Sequence, residues 1–301
     1  MTLLVFGANG QVGQELQRAL APLGPVIATT RSGQLPDGRD CDVADFDQPQ
    51  TLAPLLQRLR PAWVINAAAY TAVDRAEQER DAAFRANAEA PGLIARWCAA
   101  NQVPLVHYST DYVFDGQGSR PYPVDAATEP LGVYGESKLA GEQAIRQAGG
   151  RHLIFRTAWV YAAHGHNFLR TMLRVGAERD ELKVVADQIG TPTPAALIAD
   201  ITATAIAGDN GQRSGTWHLT ADGETSWHGF AEEIFRQARA MGLIEKAPKV
   251  TAIASSEYPT PVRRPAYSRL DTSALVRDFG VDLPSWQEGV SRVLADLASS
   301  R

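Results

Sequence analysis

Residues 3–20 read LLVFGANGQVGQELQRAL, and this stretch decides the fold. LLVF is apolar without alternation, the pattern of a strand buried on both faces. Gly7, Gly10 and Gly13 follow at three-residue spacing. Leu16, Ala19, Leu20 and Leu23 then fall at helical spacing. Three glycines so spaced arise by chance roughly 0.2 times in a chain of this composition, so their position carries the argument. Between a strand and a helix, Gly7 makes the tight turn, Gly10 lets backbone approach a phosphate, and Gly13 lets helix and sheet pack closely. The helix start, with Gln11 and Val12, turns free N–H groups and a positive partial charge toward an anion. The competing reading is a plain strand–helix turn.

Outward from this unit, short β-rich runs alternate with helical patterns. VIATT (26–30), WVINAAA (63–69), VPLVHYST (103–110) and HLIFRTAWVY (152–161) read as strands, and AEAPGLIARWCAAN (88–101) as a helix. Non-alternating strands joined by helices predict an α/β protein with a parallel sheet covered on both faces. After about residue 160 the pattern changes. HGHNFLRTMLRVGAERD (164–180) is an amphipathic helix, and DQIGTPTPAALIADITATAIA (187–207) a loop and a helix. GTWHLTADGETSWHGFAEEIFRQA (215–238) gives strand, turn and helix, with Ser226 as N-cap. YPTPVRRPAYSRLD (258–271) is extended. The expected layout is a dinucleotide-binding domain over 1–160 with a return segment near 190–220, and a mainly substrate-binding lobe over 161–301.

Composition narrows the function classes. The chain has 301 residues, 45% hydrophobic and 21% charged, with a net charge of −5. That charge argues against nucleic-acid and membrane-surface binding, which need a basic field. Two cysteines, Cys41 and Cys98, cannot build a disulfide framework, and no Cys/His spacing resembles a zinc site. His164-Gly165-His166 is two loop histidines with no third ligand, read as solvated, and no metal ligand is assigned. With no basic region before the apolar start and no apolar run near ~18 residues, a soluble, cytoplasmic protein is expected.

Two further segments point to chemistry. Dinucleotide folds usually carry an acid at the end of the second strand, ~20 residues past the glycines. Here Thr29, Thr30 and Arg31 stand instead. An arginine without an acid suits a ribose 2′-phosphate, so NADPH is expected, with NADH as the alternative. Asp42 and Val43, placed after a third strand, are candidates for adenine contact. Asn66, Ala67, Ala68 and Ala69 end the fourth strand with small side chains, leaving room for a cofactor. In YGESK (134–138), Tyr134 and Lys138 are four apart and share a helix face. A phenol of pKa ~10 is a poor acid–base group at neutral pH. A neighbouring ammonium and a nicotinamide's positive charge are expected to lower it, so that Tyr134 exchanges a proton with a carbonyl or hydroxyl oxygen. Ser109 or Thr110, at the end of a strand, can bond the same oxygen.

GANGQVG, the Ser109–Thr110 strand end and Tyr134-x-x-x-Lys138 together resemble the extended short-chain dehydrogenase/reductase superfamily. That resemblance implies a Rossmann-type doubly wound parallel sheet with a smaller C-terminal substrate-binding lobe. STDYVFDG (109–116), VYGESKLAGE (133–142), FRTAWVY (155–161), DQIGTPT (187–193) and RPAYSRLD (264–271), in this order, look like the dTDP-4-dehydrorhamnose reductase family. Members reduce the C4 ketone of a dTDP-keto-sugar for bacterial surface polysaccharides. The resemblance implies Tyr134 as proton donor, Lys138 as its partner and ribose anchor, and Thr110 as the orienting hydroxyl. It also implies Asp111, Tyr112 and Trp159 at the sugar, and draws attention to Arg263, Arg264 and Arg269, of which Arg264 and Arg269 are the diphosphate candidates. Dehydratases of the superfamily carry an Asp-Glu pair where this chain has Asp111-Tyr112, which favours reduction. Some relatives bind Mg²⁺ between subunits through glutamates near the first helix; Glu15 is present without clustered partners, and a homodimer stays open. Two other readings are a reductase or epimerase of another keto-sugar nucleotide, and a binding subunit like the regulatory subunit of methionine adenosyltransferase.

Overall fold

The first strand, β1 (Leu3–Phe6), is wholly buried, and its alternating side chains serve two cores. Leu3 and Val5 face one cluster, and Leu4 and Phe6 face another. This is the computed structural model of the chain, and it describes residues 1–209 and 212–299. The parts of the expected return segment and C-terminal lobe at 210–211 and 300–301 lie outside the described residues.

Through the first half, helix and strand alternate. α1 (Gln11–Leu20) leads to β2 (Val26–Thr30) and β3 (Asp42–Val43), and α2 (Leu52–Leu59) to β4 (Trp63–Asn66). Short helices α3 (Val73–Ala76) and α4 (Arg80–Phe84) precede a single π-helical turn over 85–89 and α5 (Ala90–Ala100). β5 (Leu105–Thr110), α6 (Val133–Gln147) and β6 (His152–Thr157) complete this half. Then come β7 (Val160–Tyr161), α7 (Phe168–Glu178), β8 (Glu181–Val185), β9 (Ile189–Gly190), β10 (Thr193–Pro194) and α8 (Ala195–Asp209). The chain ends with β11 (Gly215–His218), β12 (Thr225–Ser226), α9 (Trp227–Ala240), β13 (Lys249–Ile253), α10 (Ser273–Phe279) and α11 (Trp286–Ser299).

Seven parallel strands form the main sheet in the order β11-β6-β5-β4-β1-β2-β3, the α/β Rossmann-type architecture expected. Leu16 and Leu20 of α1 join Ile198 and Ile201 of α8 on one face. Leu52 and Leu56 of α2, Ile94 of α5 and Ile145 of α6 cover the other. The strand order reverses between β1 and β4, so the Gly7 turn opens at the crevice where such sheets take ligands. Beside the sheet, β8 and β13 pair in parallel, and Leu182 and Val184 pack with Phe235 of α9 and Met172 of α7. Ser226 caps α9 by accepting from Gly229 N–H, as its sequence position suggests. Among the described residues no helix is long and apolar enough to cross a membrane.

The chain departs from its expected elements in four places. β4 stops at Asn66, not Ala69, because the Asn66 side chain takes the Ala68 N–H in place of a ladder partner. Asp42 and Val43 are β3 itself rather than its aftermath. The helix expected from His164 starts at Phe168, where Asn167 caps it. The run 152–161 is broken: β6 ends at Thr157 and Trp159 takes φ 48°, a conformation that costs a bulky residue ~1–3 kcal/mol. Trp159 is therefore a turn residue whose ring leaves the sheet.

Candidate active site

The glycine turn is shaped by what would collide there. Gly7 has φ 74°, and a Cβ on it would lie 2.6 Å from the Ala68 nitrogen. At Gly13 a Cβ would meet the Gly7 carbonyl at 2.0 Å, so backbone crosses where any side chain would stand. Gly10 enters α1 from an extended conformation with no side-chain cap on the helix start. A cradle of close backbone in front of an uncapped helix start fits a dinucleotide phosphate. Farther along the sheet edge, the buried Thr30 hydroxyl donates to the Gln34 carbonyl at 3.1 Å. Arg31 is exposed and 3.5 Å from Asp47, Asp42 receives Arg58 at 2.6 Å, and Val43 is 58% exposed. Ala67 and Ala68 follow β4 beside the glycine turn, Ala67 N–H bonding the Phe6 carbonyl.

At the end of β5 the hydroxyl groups gather. Thr110 donates to Asp111 Oδ1 at 2.9 Å and accepts from Tyr112 N–H at 3.2 Å. A side-chain hydrogen bond joins it to Tyr134, from the first turn of α6. The Thr110 hydroxyl favours the ionised form of the phenol, an effect that burial outweighs. The Tyr112 ring meets the Tyr134 ring edge-on, centroids 5.5 Å apart.

In the protein alone, burial pushes the Tyr134 phenol up, Asp111 and Tyr112 add to this, and Thr110 works against it. The Lys138 ammonium does not offset it, because Nζ turns to the Tyr108 carbonyl at 2.6 Å, with His107 Nε2 at 3.5 Å. Burial lowers Lys138 to about 8, against the pull of Glu142. Burial likewise raises the Asp111 carboxyl to about 6, against the influence of Ser268 and the hydrogen bond from Thr110.

Around this centre stand the other expected residues. Trp159 stacks on Trp227 at 3.6 Å and 7°, in space that Gly190 leaves open: a Cβ there would lie 2.6 Å from the Trp159 ring. Arg264 bonds Asp74 at 2.6 Å and approaches the Tyr112 hydroxyl at 3.4 Å. Arg269 lies 3.3 Å from Glu224, and Arg263 is exposed.

The loop histidines are not both solvated. His164 is half-buried and bonds Glu15 at 3.1 Å, where Arg18 also reaches Glu15 and spans to Asp200 at 2.8 Å. Glu15 is thus engaged by a histidine and an arginine. No group of three or more metal-ligating side chains occurs among the described residues.

Several residues around the site escaped sequence reading. Asn87, in the π-helical turn, holds the Tyr70 backbone through both amide atoms and donates to Ser137 of α6 at 3.0 Å. Glu77 receives Val133 N–H at 2.8 Å where α6 begins. Glu142, fully buried, receives Arg156 in a two-pronged bond at 2.9 and 2.8 Å and Arg146 at 2.7 Å. Only Glu142 left a signal in sequence: it continues the face of Tyr134 and Lys138 by one more turn. The others act through contacts between distant segments.

A parallel nucleotide-binding sheet whose strand end meets a Tyr-x-x-x-Lys helix defines a candidate oxidoreductase of the short-chain dehydrogenase/reductase type. The model of the RmlD substrate binding domain family matches residues 1–299, and the chain belongs to that family. Its relatives include a dTDP-4-dehydrorhamnose reductase of Shigella flexneri, 48% identical over 99% of this chain and 98% of that protein. Among solved structures, a dTDP-4-dehydrorhamnose reductase from Clostridium acetobutylicum superposes with a TM-score of 0.89, at 36% identity over 99% of this chain and 100% of that one. One from Bacillus anthracis, in complex with NADP, gives 0.88 at 33% identity over 98% and 99%.

Proposed function

We propose that this protein reduces the C4 ketone of dTDP-4-dehydro-L-rhamnose to dTDP-L-rhamnose with NADPH. The observation that carries the reading is the Tyr134–Lys138 face of α6 set against the strand end at Thr110 and Tyr112. When bound, the cofactor supplies the hydride. Tyr134 donates its proton to the emerging sugar oxygen, and Thr110 orients that oxygen. Burial and the Asp111 charge keep the phenol protonated at neutral pH, which suits an acid rather than a base. Lys138 holds the ribose side of the site, and the turn of Gly7, Gly10, Gln11, Val12 and Gly13 takes the cofactor phosphates. Thr30, Arg31, Asp42 and Val43 line the adenosine end, and Ala67, Ala68 and Ala69 give the cofactor room. Asp111, Tyr112 and Trp159 flank the sugar, while Arg264 and Arg269 meet the diphosphate by exchanging their present carboxylate partners for phosphate oxygens. Residues 1–160 with the β11 return strand form the cofactor half, and most of 161–301 the sugar half.

The test is consumption of NADPH and of NADH with the dTDP-keto-sugar and with its UDP analogue. NADPH with the dTDP substrate is expected to give the highest kcat/KM, and Arg31→Ala to narrow the preference for NADPH. Absence of turnover with every pair removes the proposal.

Asp111 carries a separate prediction. Its carboxyl is raised in the fold, so the unfolded chain loses this proton first. Stability therefore falls as pH rises from the ordinary 3.8 to about 6 and stays lowered above that. Asp111→Asn removes this cost and is expected to stabilise the protein by about 2–3 kcal/mol at pH 7, with no gain below pH 3.8. Its kcat should fall roughly tenfold, as a charged acceptor for Thr110 becomes neutral. Urea unfolding at both pH values, with a pH–rate profile, checks the two effects together.

A further inference from the structure

Beneath Tyr134 runs a buried string of polar groups that the proposed reaction does not use. Ala68 N–H donates to Asn66 Oδ1 at 3.1 Å, and a backbone N–H can only donate, so the Asn66 amide has one orientation. Its Nδ2 therefore donates to His107 Nδ1, also at 3.1 Å. A ring nitrogen that accepts carries a lone pair, so the His107 imidazole is neutral with its proton on Nε2. That Nε2–H faces Lys138 Nζ at 3.5 Å, and Nζ donates to the Tyr108 carbonyl at 2.6 Å on another side. His107 is 0% exposed and Lys138 2%, so no bulk water screens the pair.

We propose that His107 is a positioning residue: locked by Asn66 with its proton on Nε2, it turns an N–H toward Lys138 and weakens that lysine's hold on its proton. An ammonium at Nζ meets the positive end of the imidazole N–H dipole. A neutral amine accepts that hydrogen and still donates to Tyr108.

The groups facing Lys138 are few. His107 comes from β5 and Glu142 from its own helix, one turn on, with Glu142 pulling toward the charged form. His107 faces Lys138 and Asn66, and burial together with the lysine charge holds it far below its ordinary value. It thus stays neutral while Lys138 titrates, and the dipole keeps its direction. The use of this device in catalysis rests on Tyr134 being the proton donor. A lysine with a weakened hold on its proton gives one up more readily to a spent phenolate. The protonation itself is a property of the cofactor-free protein.

Four lysines make the measurement direct: Lys138, Lys183, Lys246 and Lys249 give four signals in protein labelled at lysine Cε and Nζ. In an NMR pH titration without cofactor, the Lys138 signal, assigned by its loss in Lys138→Arg, should reach its midpoint at least one unit below the other three. Co-titration with them overturns the proposal. Asn66→Asp reverses the tautomer, because a carboxylate accepts from Nδ1–H and leaves a lone pair on Nε2 toward Nζ. The Lys138 midpoint should then rise by a unit or more, a tenfold gain in proton affinity. The new charge acts equally in a His107→Phe background, where there is no tautomer to reverse. A rise there at least fivefold smaller in affinity supports the proposal, and an equal rise overturns it. Histidine ¹⁵N spectra of the unaltered protein need no variant to fold: His107 must show Nε2 protonated and Nδ1 bare, and the opposite tautomer overturns the proposal. A lowered Lys138 midpoint and a bare His107 Nδ1 in a protein that turns over no keto-sugar would remove the proposed activity and leave this inference standing.

Discussion

Tyr134→Phe is expected to lower turnover by roughly 10²–10⁴-fold while leaving dinucleotide binding within a factor of a few. The substitution removes one oxygen and keeps the ring, so the edge-on contact with Tyr112 and the burial of the helix start survive. What disappears is the phenol proton at the start of α6. The glycine turn, more than a hundred residues earlier in the chain, is untouched, so fluorescence titration with NADPH should be unchanged. A Phe variant of near-normal kcat would show that another group delivers the proton. The unaltered enzyme should hold its kcat through neutral pH, since burial raises the phenol well above its ordinary 10. A falling alkaline limb near pH 7 would contradict a buried, protonated Tyr134.

The second large effect is on stability. Glu142→Ala leaves Arg156 inside the protein with its Val124 carbonyl bond at 3.1 Å and the Phe114 ring at 5.1 Å, and with no carboxylate. Arginine cannot shed its charge, so the uncompensated ion should cost about 3–5 kcal/mol, a large part of a typical domain's stability. Replacing both partners, as Glu142→Leu with Arg156→Met, should recover most of that loss, because neither charge then needs an answer. Equilibrium urea unfolding of the three variants measures this, and a single-variant loss under 1 kcal/mol would rule the account out. The sign with pH follows from the carboxyl. Burial alone would raise Glu142, but Arg156, Ser109 and Arg146 outweigh it and hold the group below its ordinary 4.5. Its contribution is full above that value and is lost as pH falls through the folded-state value. The gap between wild type and Glu142→Ala should therefore close in acid. Because Glu142 continues the Tyr134–Lys138 face of α6, loosening it should also lower kcat more than it raises KM.

How much of this was legible beforehand differs residue by residue. Leu3–Phe6, the glycines and the Leu16/Leu20 stripe showed a strand, a tight turn and a helix, because each is encoded by neighbours within a turn or two of chain. Tyr134 and Lys138 were found for the same reason, their four-residue spacing being a property of one helix. The assignment of WVINAAA as strand to Ala69 failed at Asn66, whose side chain replaces a ladder bond that no local pattern reports. Trp159 was read along a continuous strand, but its left-handed backbone is paid for by stacking on Trp227, sixty-eight residues on.

Sequence by itself determined the parallel α/β class, the glycine turn and the Tyr–Lys helix, and its ordered motifs pointed to the family. Only the tertiary structure decided the electrostatics. Which way Lys138 points, why Tyr134 stays protonated, how Arg264 and Arg269 are balanced, and where Glu15 is engaged all depend on groups far apart in the chain. Spacing along a helix is a short-range property, whereas a proton's affinity is set by everything within a few ångströms, whatever its place in the sequence.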